Sequence, residues 1–336
     1  MSKITILVAV YNGEKYLRTC LDSLASQTLE DIQIVCIDDC STDKSCEIIS
    51  EYACKDKRFE LLKLSTNVGQ AKARNKGLEL ATGEYITMLD CDDWFEPDSL
   101  EKVYNAVTSK DDIDCAMFKL MLYHEESGNT DKFINKTDKT ILSGEEAFRL
   151  SLDWSIHGLY IVRADIHKTY PYDTSCRLYS DDNTTRIHYL HSRKVIISDG
   201  EYFYRKHKES MTTACSILRF EYMDANLSMK RQLIEEAKKG NIAKAEEVLN
   251  IYEQHRWLNI VDAYWYYYSN KKNFTQSEQT KIEDKIAKML SSIEKERIAP
   301  SLKKKLGYYP FKSYKVFRFV ENTYFILRKL KDYLYP

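Results

Sequence analysis

Hydrophobic and polar positions follow two rhythms over the first 110 residues. Four short stretches, KITILVAVYN (3–12), IQIVCIDD (32–39), FELLKLS (59–65) and EYITMLD (84–90), are apolar at successive positions. Such runs, without period-two alternation, mark strands covered on both faces. The stretches between them repeat apolar residues every three or four positions. EKYLRTCLDSLASQT (14–28) sets Leu17, Leu21 and Leu24 on one helical face, and GQAKARNKGLELA (69–81) predicts another helix that Gly83 helps to end. Ser41 or Thr42 can cap the intervening helix, with Asp43 in its first turn, and Pro97 suits the first turn of a helix running to about Val107. Strand and helix alternating through short connections predict an α/β fold, a mostly parallel sheet with helices on both faces.

The pattern then changes. DCAMFKLML (114–122) predicts a strand, 123–141 a polar loop, GEEAFRLSL (144–152) a short helix and RKVIISDGEYFYRKH (193–207) a further strand. From about Ile217 onward nearly everything has helical periodicity. The shift near 215 divides the chain into 1–215 and a helical C-terminal region, 216–336.

The chain has 336 residues, 43% of them hydrophobic, which is ample for a large core. Fifty basic and 51 acidic residues leave a net charge of -1, so no global field favours nucleic acid. Nine cysteines form no CxxC pair and read as reduced thiols of a cytosolic protein. Met1-Ser2-Lys3 leads straight into a strand, so no signal peptide is expected, and no window approaches eighteen apolar residues.

Candidate chemistry begins where the fourth strand ends. Asp90, Asp92 and Asp93 follow that strand with no Lys or Arg in the run to neutralise them. Carboxylates at i and i+2 past a strand can aim at one point, where they repel each other unless compensated. A divalent cation, Mn2+ or Mg2+, removes the conflict and completes its shell with water and phosphate oxygens. Ligands of parallel sheets gather beyond the carboxyl ends of strands, and Asp38 and Asp39 lie at a second such end. A lone D-x-D, however, is better explained by turn formation and helix capping.

The motifs do not stand alone. VAVYN, IDDCSTD and NVGQAKARNKGLELATGEYITMLDCDD, in this order, resemble the family 2 glycosyltransferases of GT-A fold. The resemblance is dense over 3–107 and persists, weaker, to about 213. It implies an inverting, metal-dependent enzyme. Such an enzyme moves a hexosyl or N-acetylhexosaminyl group from a UDP-linked donor to a hydroxyl of a glycan or lipid-linked glycan, as in cell-surface polysaccharide assembly. The resemblance places Tyr11 on the nucleotide base, framed by Val10 and Asn12, with Asp39 at the base or ribose and Asp38 supporting that turn. Arg74, on the helix after Asn67-Val68-Gly69, reaches toward the base. Asp90 lies nearer the ribose and sugar, Asp92 on the metal, Cys91 between them, and Asp93 beside the sugar or a metal-bound water. In YFYRKHKESMTT (202–213), Arg205 is implied to meet the diphosphate, His207 to be a third metal ligand and Ser210 to bond a phosphate. In LYSDDNTTRIHYL (178–190), an acidic pair opens a helix ahead of Arg186, and Asp182 matches the general base with Asp181 beside it. The first acid is Asp where the family often has Glu, which leaves 181 and 182 both open. DWSIHGLY (153–160) falls on the acceptor side, with Trp154 for stacking on a sugar ring and His157 nearby. The rival from another class is a sugar-nucleotide-binding module that has lost catalysis.

The last segment, 301–336, carries nine basic residues against Glu321 and Asp332, interleaved with aromatics. That composition suits the surface of an anionic bilayer, and packing on protein is the alternative. The expected location is cytoplasmic, peripheral on the inner face of the cytoplasmic membrane. Oligomeric state is left open.

Overall fold

A computed structural model describes residues 2–176, 178–208, 215–303 and 313–334. The chain divides into two compact units, Met1–Ser210 and Met211–Pro336.

The first unit is built in chain order from β1 (Ile4–Val10), α1 (Glu14–Ala25), β2 (Ile32–Asp38), α2 (Ser45–Lys55), β3 (Phe59–Lys63), α3 (Gln70–Leu78) and β4 (Tyr85–Met88). There follow β5 (Trp94–Phe95), α4 (Ser99–Val107), β6 (Cys115–His124), β7 (Asn129–Lys132), β8 (Ile141–Ser143), α5 (Gly144–Ser151), β9 (Tyr160–Arg163), α6 (Ala164–Thr169), α7 (Ser180–His191) and β10 (Lys194–Lys206). One sheet runs in the order β3-β2-β1-β4-β9-β6-β10-β5, with β7 on β6 and β8 on β10. The longer pairings, β1 with β2, β2 with β3, β1 with β4 and β6 with β10, are parallel. Short antiparallel pairings join the rest, and β9 lies antiparallel between β4 and β6.

Every residue of β1 and β2 is buried, as their uninterrupted apolar runs demand. Successive β1 side chains enter opposite layers. Ile4, Ile6, Val8 and Val10 pack with Leu17, Leu21, Leu24 and the α4 residues Leu100 and Val103. Leu7 and Ala9 pack with Ala71, Ala73 and Leu78 of α3. The segment 123–141 departs from the expected polar loop: β6 extends to His124 and turns back through β7, all of whose side chains are exposed. With no buried face, β7 has no hydrophobic period to read.

The second unit contains α8 (Tyr222–Lys238), α9 (Ala245–Asn270), α10 (Gln276–Ser291), the one-turn α11 (Pro300–Lys303) and α12 (Tyr314–Leu334). Its core joins Trp257, Tyr264 and Tyr267 of α9 to Ile282 and Ile286 of α10 and to Phe317 and Phe325 of α12. The aromatic residues of 262–274 thus supply much of this core. All nine cysteines are free thiols.

Close packing of α3 on the sheet depends on Gly77. A Cβ there would lie 2.7 Å from Ile37 Cδ1 and 3.2 Å from Leu7 Cδ2. Gly77→Val should therefore lower stability by about 1–3 kcal/mol through overpacking, read as a fall in Tm. An unchanged Tm would show that α3 does not seat this tightly.

Candidate active site

The carboxyl ends of β1 and β2 are tied into one rim. Asn12, in a left-handed conformation at φ 51°, accepts the Thr42 N–H at 2.8 Å and gives its own N–H to Ser41 Oγ at 3.0 Å. The Gly13 N–H donates to Ser45 Oγ and the Glu14 N–H to Asp43 Oδ2. Val10 is buried beneath this rim and Tyr11 is half-exposed above it. Asp38 is buried; its Oδ1 accepts the Ser41 N–H and its Oδ2 has no protein partner.

Asp39 is committed to the next element. Its two carboxylate oxygens accept the Val68 N–H at 2.7 Å and the Gly69 N–H at 2.8 Å, just ahead of α3. An anion at that position complements the positive end of the helix. Gly69 has φ 89° and ψ 155°, a backbone state that glycine alone adopts readily. The start of α3 is thereby fixed, and its residues 70 and 74 face the end of β4.

The acids after β4 each find partners, although no base stands near them in sequence. Arg74, 1% exposed, forms an ion pair with Asp90 Oδ1, and Gln70 donates to the same oxygen at 2.8 Å. The Tyr172 ring lies 5.5 Å from the Arg74 guanidinium carbon. Burial pushes the Asp90 carboxyl up to about 6; Arg74 opposes that shift, and the charges of Asp92 and Asp181 add to it. Asp93 is buried and fully engaged, accepting the Tyr202 hydroxyl at 2.7 Å and the Arg205 N–H at 2.8 Å. Burial, then Asp92 and Asp90, push its carboxyl well up.

Asp92 faces the other way. Its Oδ2 lies 3.0 Å from His207 Nε2, and its backbone carbonyl accepts Arg205 Nε at 2.8 Å. The Arg205 guanidinium is enclosed by the rings of Trp94 (4.7 Å), Tyr16 (4.8 Å) and Tyr123 (5.6 Å). Tyr16 also packs against His207, with ring centroids 4.7 Å apart. Cys91, between the two acids, has its Sγ 3.0 Å from where a Gly13 Cβ would stand, which brings the β1 and β4 loops together. Among the described residues no three His, Cys, Asp or Glu side chains converge as a ready-made metal cluster. Asp90 is drawn to α3 instead of joining Asp92 and His207. Ser210 lies outside the described residues.

The remaining acids open α7. Asp182 lines a small cleft together with Trp154, His157, Thr185 and Arg186. Burial pushes its carboxyl up to about 7, Asp181 adds to the shift and Arg186 opposes it. The Asp181 charge is felt by Asp90, Arg74 and Tyr172. The pair therefore joins the β4 acids to the cleft. Arg186 anchors α7 through the Ser151 carbonyl (3.4 Å) and Asn183 Oδ1 (3.3 Å). At the mouth, Trp154 is 51% exposed and holds φ 59°, unusual for a bulky side chain. His157 is buried. Its Nδ1 accepts the Leu159 N–H at 3.2 Å, so the ring proton of the neutral imidazole resides on Nε2. Burial pushes His157 down to about 4, against a hydrogen bond to the Phe118 backbone, and keeps it neutral.

Sequence reasoning did not find Gln70, Tyr202, Tyr172 or Tyr16. Gln70 was within reach, since it precedes Arg74 by one helical turn. The tyrosines come from distant segments, and no local spacing announces them.

The geometry can be set beside known proteins. Residues 5–160 match the model of glycosyl transferase family 2. Residues 5–160 are a glycosyltransferase family 2 domain. Over 127 residues the chain is 42% identical to EpsH of Bacillus subtilis (strain 168), covering 38% of this chain and 36% of that one, so the match spans about a third of the relative. It is 29% identical over 242 residues to glycosyltransferase GlyG of Streptococcus pneumoniae serotype 4, covering 69% of this chain and 77% of that one. The fold matches S. aureus TarS 1-349 solved with UDP-GlcNAc, with a TM-score of 0.71, 19% identity and coverage of 96% and 91%. The family 2 domain has the GT-A fold that its motifs implied.

The raised Asp182 carboxyl has a consequence for stability. Its value in the folded protein exceeds the ordinary 3.8. Its contribution to folding is therefore full below that ordinary value and is lost as pH rises through about 7. Asp182→Asn should melt higher than the parent at pH 8, with the gap narrowing as pH falls from about 7 toward 4, as followed by circular dichroism. A variant that melts lower at pH 8 would refute the buried, strained carboxylate.

Proposed function

We propose that the protein is an inverting glycosyltransferase that moves a hexosyl or N-acetylhexosaminyl group from a UDP-sugar to a hydroxyl of a glycan or lipid-linked glycan. The observation that carries this reading is Asp182, a carboxylate with an affinity for protons near neutrality, set in a small cleft whose neighbour Asp181 couples to the β4 acids. The TarS likeness supports a UDP-sugar as the donor class, and the family domain supports the reaction.

On this reading the donor lies along the carboxyl rim. Tyr11 offers an exposed ring for the base, with Asn12 and Val10 below it. The buried Asp38 Oδ2 and Arg74 Nε, both without protein partners, offer an acceptor and a donor for nucleotide, sugar or water. Asp39, Gly69 and Arg74 set the position of Asp90, which then meets the ribose or sugar. The fit to a divalent ion rests on Asp92 and His207. A carboxylate and an imidazole nitrogen 3.0 Å apart are a donor pair suited to Mn2+. Pyrophosphate oxygens and water would fill the remaining positions. When bound, the ion would stabilise the charge that develops on the departing diphosphate. Asp93 and Arg205 hold the backbone of this corner in place.

The chain's own residues do the rest. An acceptor ring stacks on Trp154, and one of its oxygens accepts the Nε2 proton of His157. The attacking hydroxyl, whose own pKa is far above 7, gives its proton to Asp182 as its oxygen bonds the anomeric carbon. The bond from that carbon to the UDP oxygen breaks on the opposite face, so configuration inverts. A base with a pKa near 7 works at physiological pH without being protonated away.

The test is a donor screen that follows UDP release with and without EDTA, using a set of glycan acceptors. Asp182→Asn should keep UDP binding and lose about 10²–10⁴-fold in kcat, while Asp181→Asn should retain more transfer. Retained transfer in Asp182→Asn would remove Asp182 as the base, and UDP-sugar turnover by no variant or parent would leave only a binding module. His157→Phe should raise the acceptor KM more than the donor KM.

A further inference from the structure

Helix α12 has two apolar faces, and the fold uses one. Phe317 and Phe325 pack into the second unit against Trp257, Tyr264 and Trp265. On the other side Val316 (47%), Phe319 (72%), Ile326 (52%) and Leu327 (55%) are exposed, with Thr323 among them. The spacing 316, 319, 323, 326, 327 is that of a single helical stripe. Scattered apolar side chains on a surface need no explanation, whereas an aligned stripe does.

The charges settle the kind of partner. Between 314 and 328 the helix carries Lys315, Arg318, Glu321 and Arg328. Glu321 is 1% exposed, so the only acid of this stretch is withdrawn into the protein. The three bases are exposed: Lys315, Arg318 in an ion pair with Glu283, and Arg328 over the Trp265 ring. Lys315 flanks the apolar stripe, Arg318 and Arg328 turn back to Glu283 and Trp265, and α12 exposes no acid among its described residues. No helix among the described residues is long and apolar enough to cross a membrane.

We propose that α12 lies flat on an anionic bilayer, its Val316–Phe319–Ile326–Leu327 stripe entering the acyl boundary and Lys315 on its flank meeting the headgroups. An aqueous protein partner would have to be both apolar and acidic at matching points, whereas an anionic membrane presents both properties everywhere. This docking surface is independent of the transfer reaction, because none of its residues belongs to the candidate active site.

The test is flotation of the full chain with vesicles of phosphatidylcholine alone and with added phosphatidylglycerol, at low and at physiological salt. The parent should float with the anionic vesicles and stay down with the neutral ones. Phe319→Glu/Ile326→Glu should lose most of that recovery while keeping its Tm and its UDP release. Equal flotation of parent and double variant would overturn the proposal, as would failure of the parent to float. Light scattering closes the remaining route: a dimer in solution that the same double variant dissociates would make the stripe an interface between copies, and would also overturn it.

Discussion

Arg74 is almost wholly removed from water, and its guanidinium meets Asp90 beneath the carboxyl edge of the sheet. A buried charge is tolerable only when it is paired and hydrogen-bonded, so this contact fixes two elements against each other. The chain arranges it in steps. Asp39 at the end of β2 captures the N–H groups of Val68 and Gly69; that capture sets the start of α3. Gly77 lets α3 lie against Ile37 and Leu7. Gln70 and Arg74, one turn apart, then both reach Asp90. The first two strand ends and the fourth become one site because a single helix spans them.

The same logic sorts the other carboxylates. Crowding five acids at one edge, with burial, raises the carboxyls of Asp90, Asp93 and Asp182, and each partner holds part of that rise back. Here Asp90 belongs to α3, and Asp93 belongs to Tyr202 and the Arg205 backbone. Asp92 turns toward His207. Asp182 lines a small cleft with Arg186, whose charge partly compensates it. On the proposed reading the partitioning leaves two places for chemistry, Asp92 with His207 and Asp182, while the charge of Asp181 reaches Asp90 and Asp182. A transferase needs that separation, since the departing diphosphate and the incoming hydroxyl belong on opposite sides of the sugar.

Much of this was legible in the sequence. The α/β alternation of the first 107 residues is written in buried β-branched runs and helical spacing, and the D-x-D and D-D pairs sit where local patterns put chemistry. Other features leave no local trace. The polar hairpin strand at Asn129–Lys132 buries nothing, and the four-residue strand at Tyr160–Arg163 is too short to show a period. The neutralisation of Asp90 by a residue sixteen positions earlier is a tertiary event, as is the Tyr202 hydroxyl reaching Asp93. The double character of α12, with one apolar face toward the core and a second toward the outside, becomes visible only when the inner face is known.

The central claim is that the acidic edge is a place for a divalent ion bridged to a diphosphate, with Asp92 and His207 as the chain's contribution. Calorimetric titration of UDP into the full protein tests it most directly. With Mn2+ present the account predicts a clear binding heat that is largely lost on adding EDTA and is weakened by His207→Ala. UDP binding of equal strength with and without the ion would contradict it.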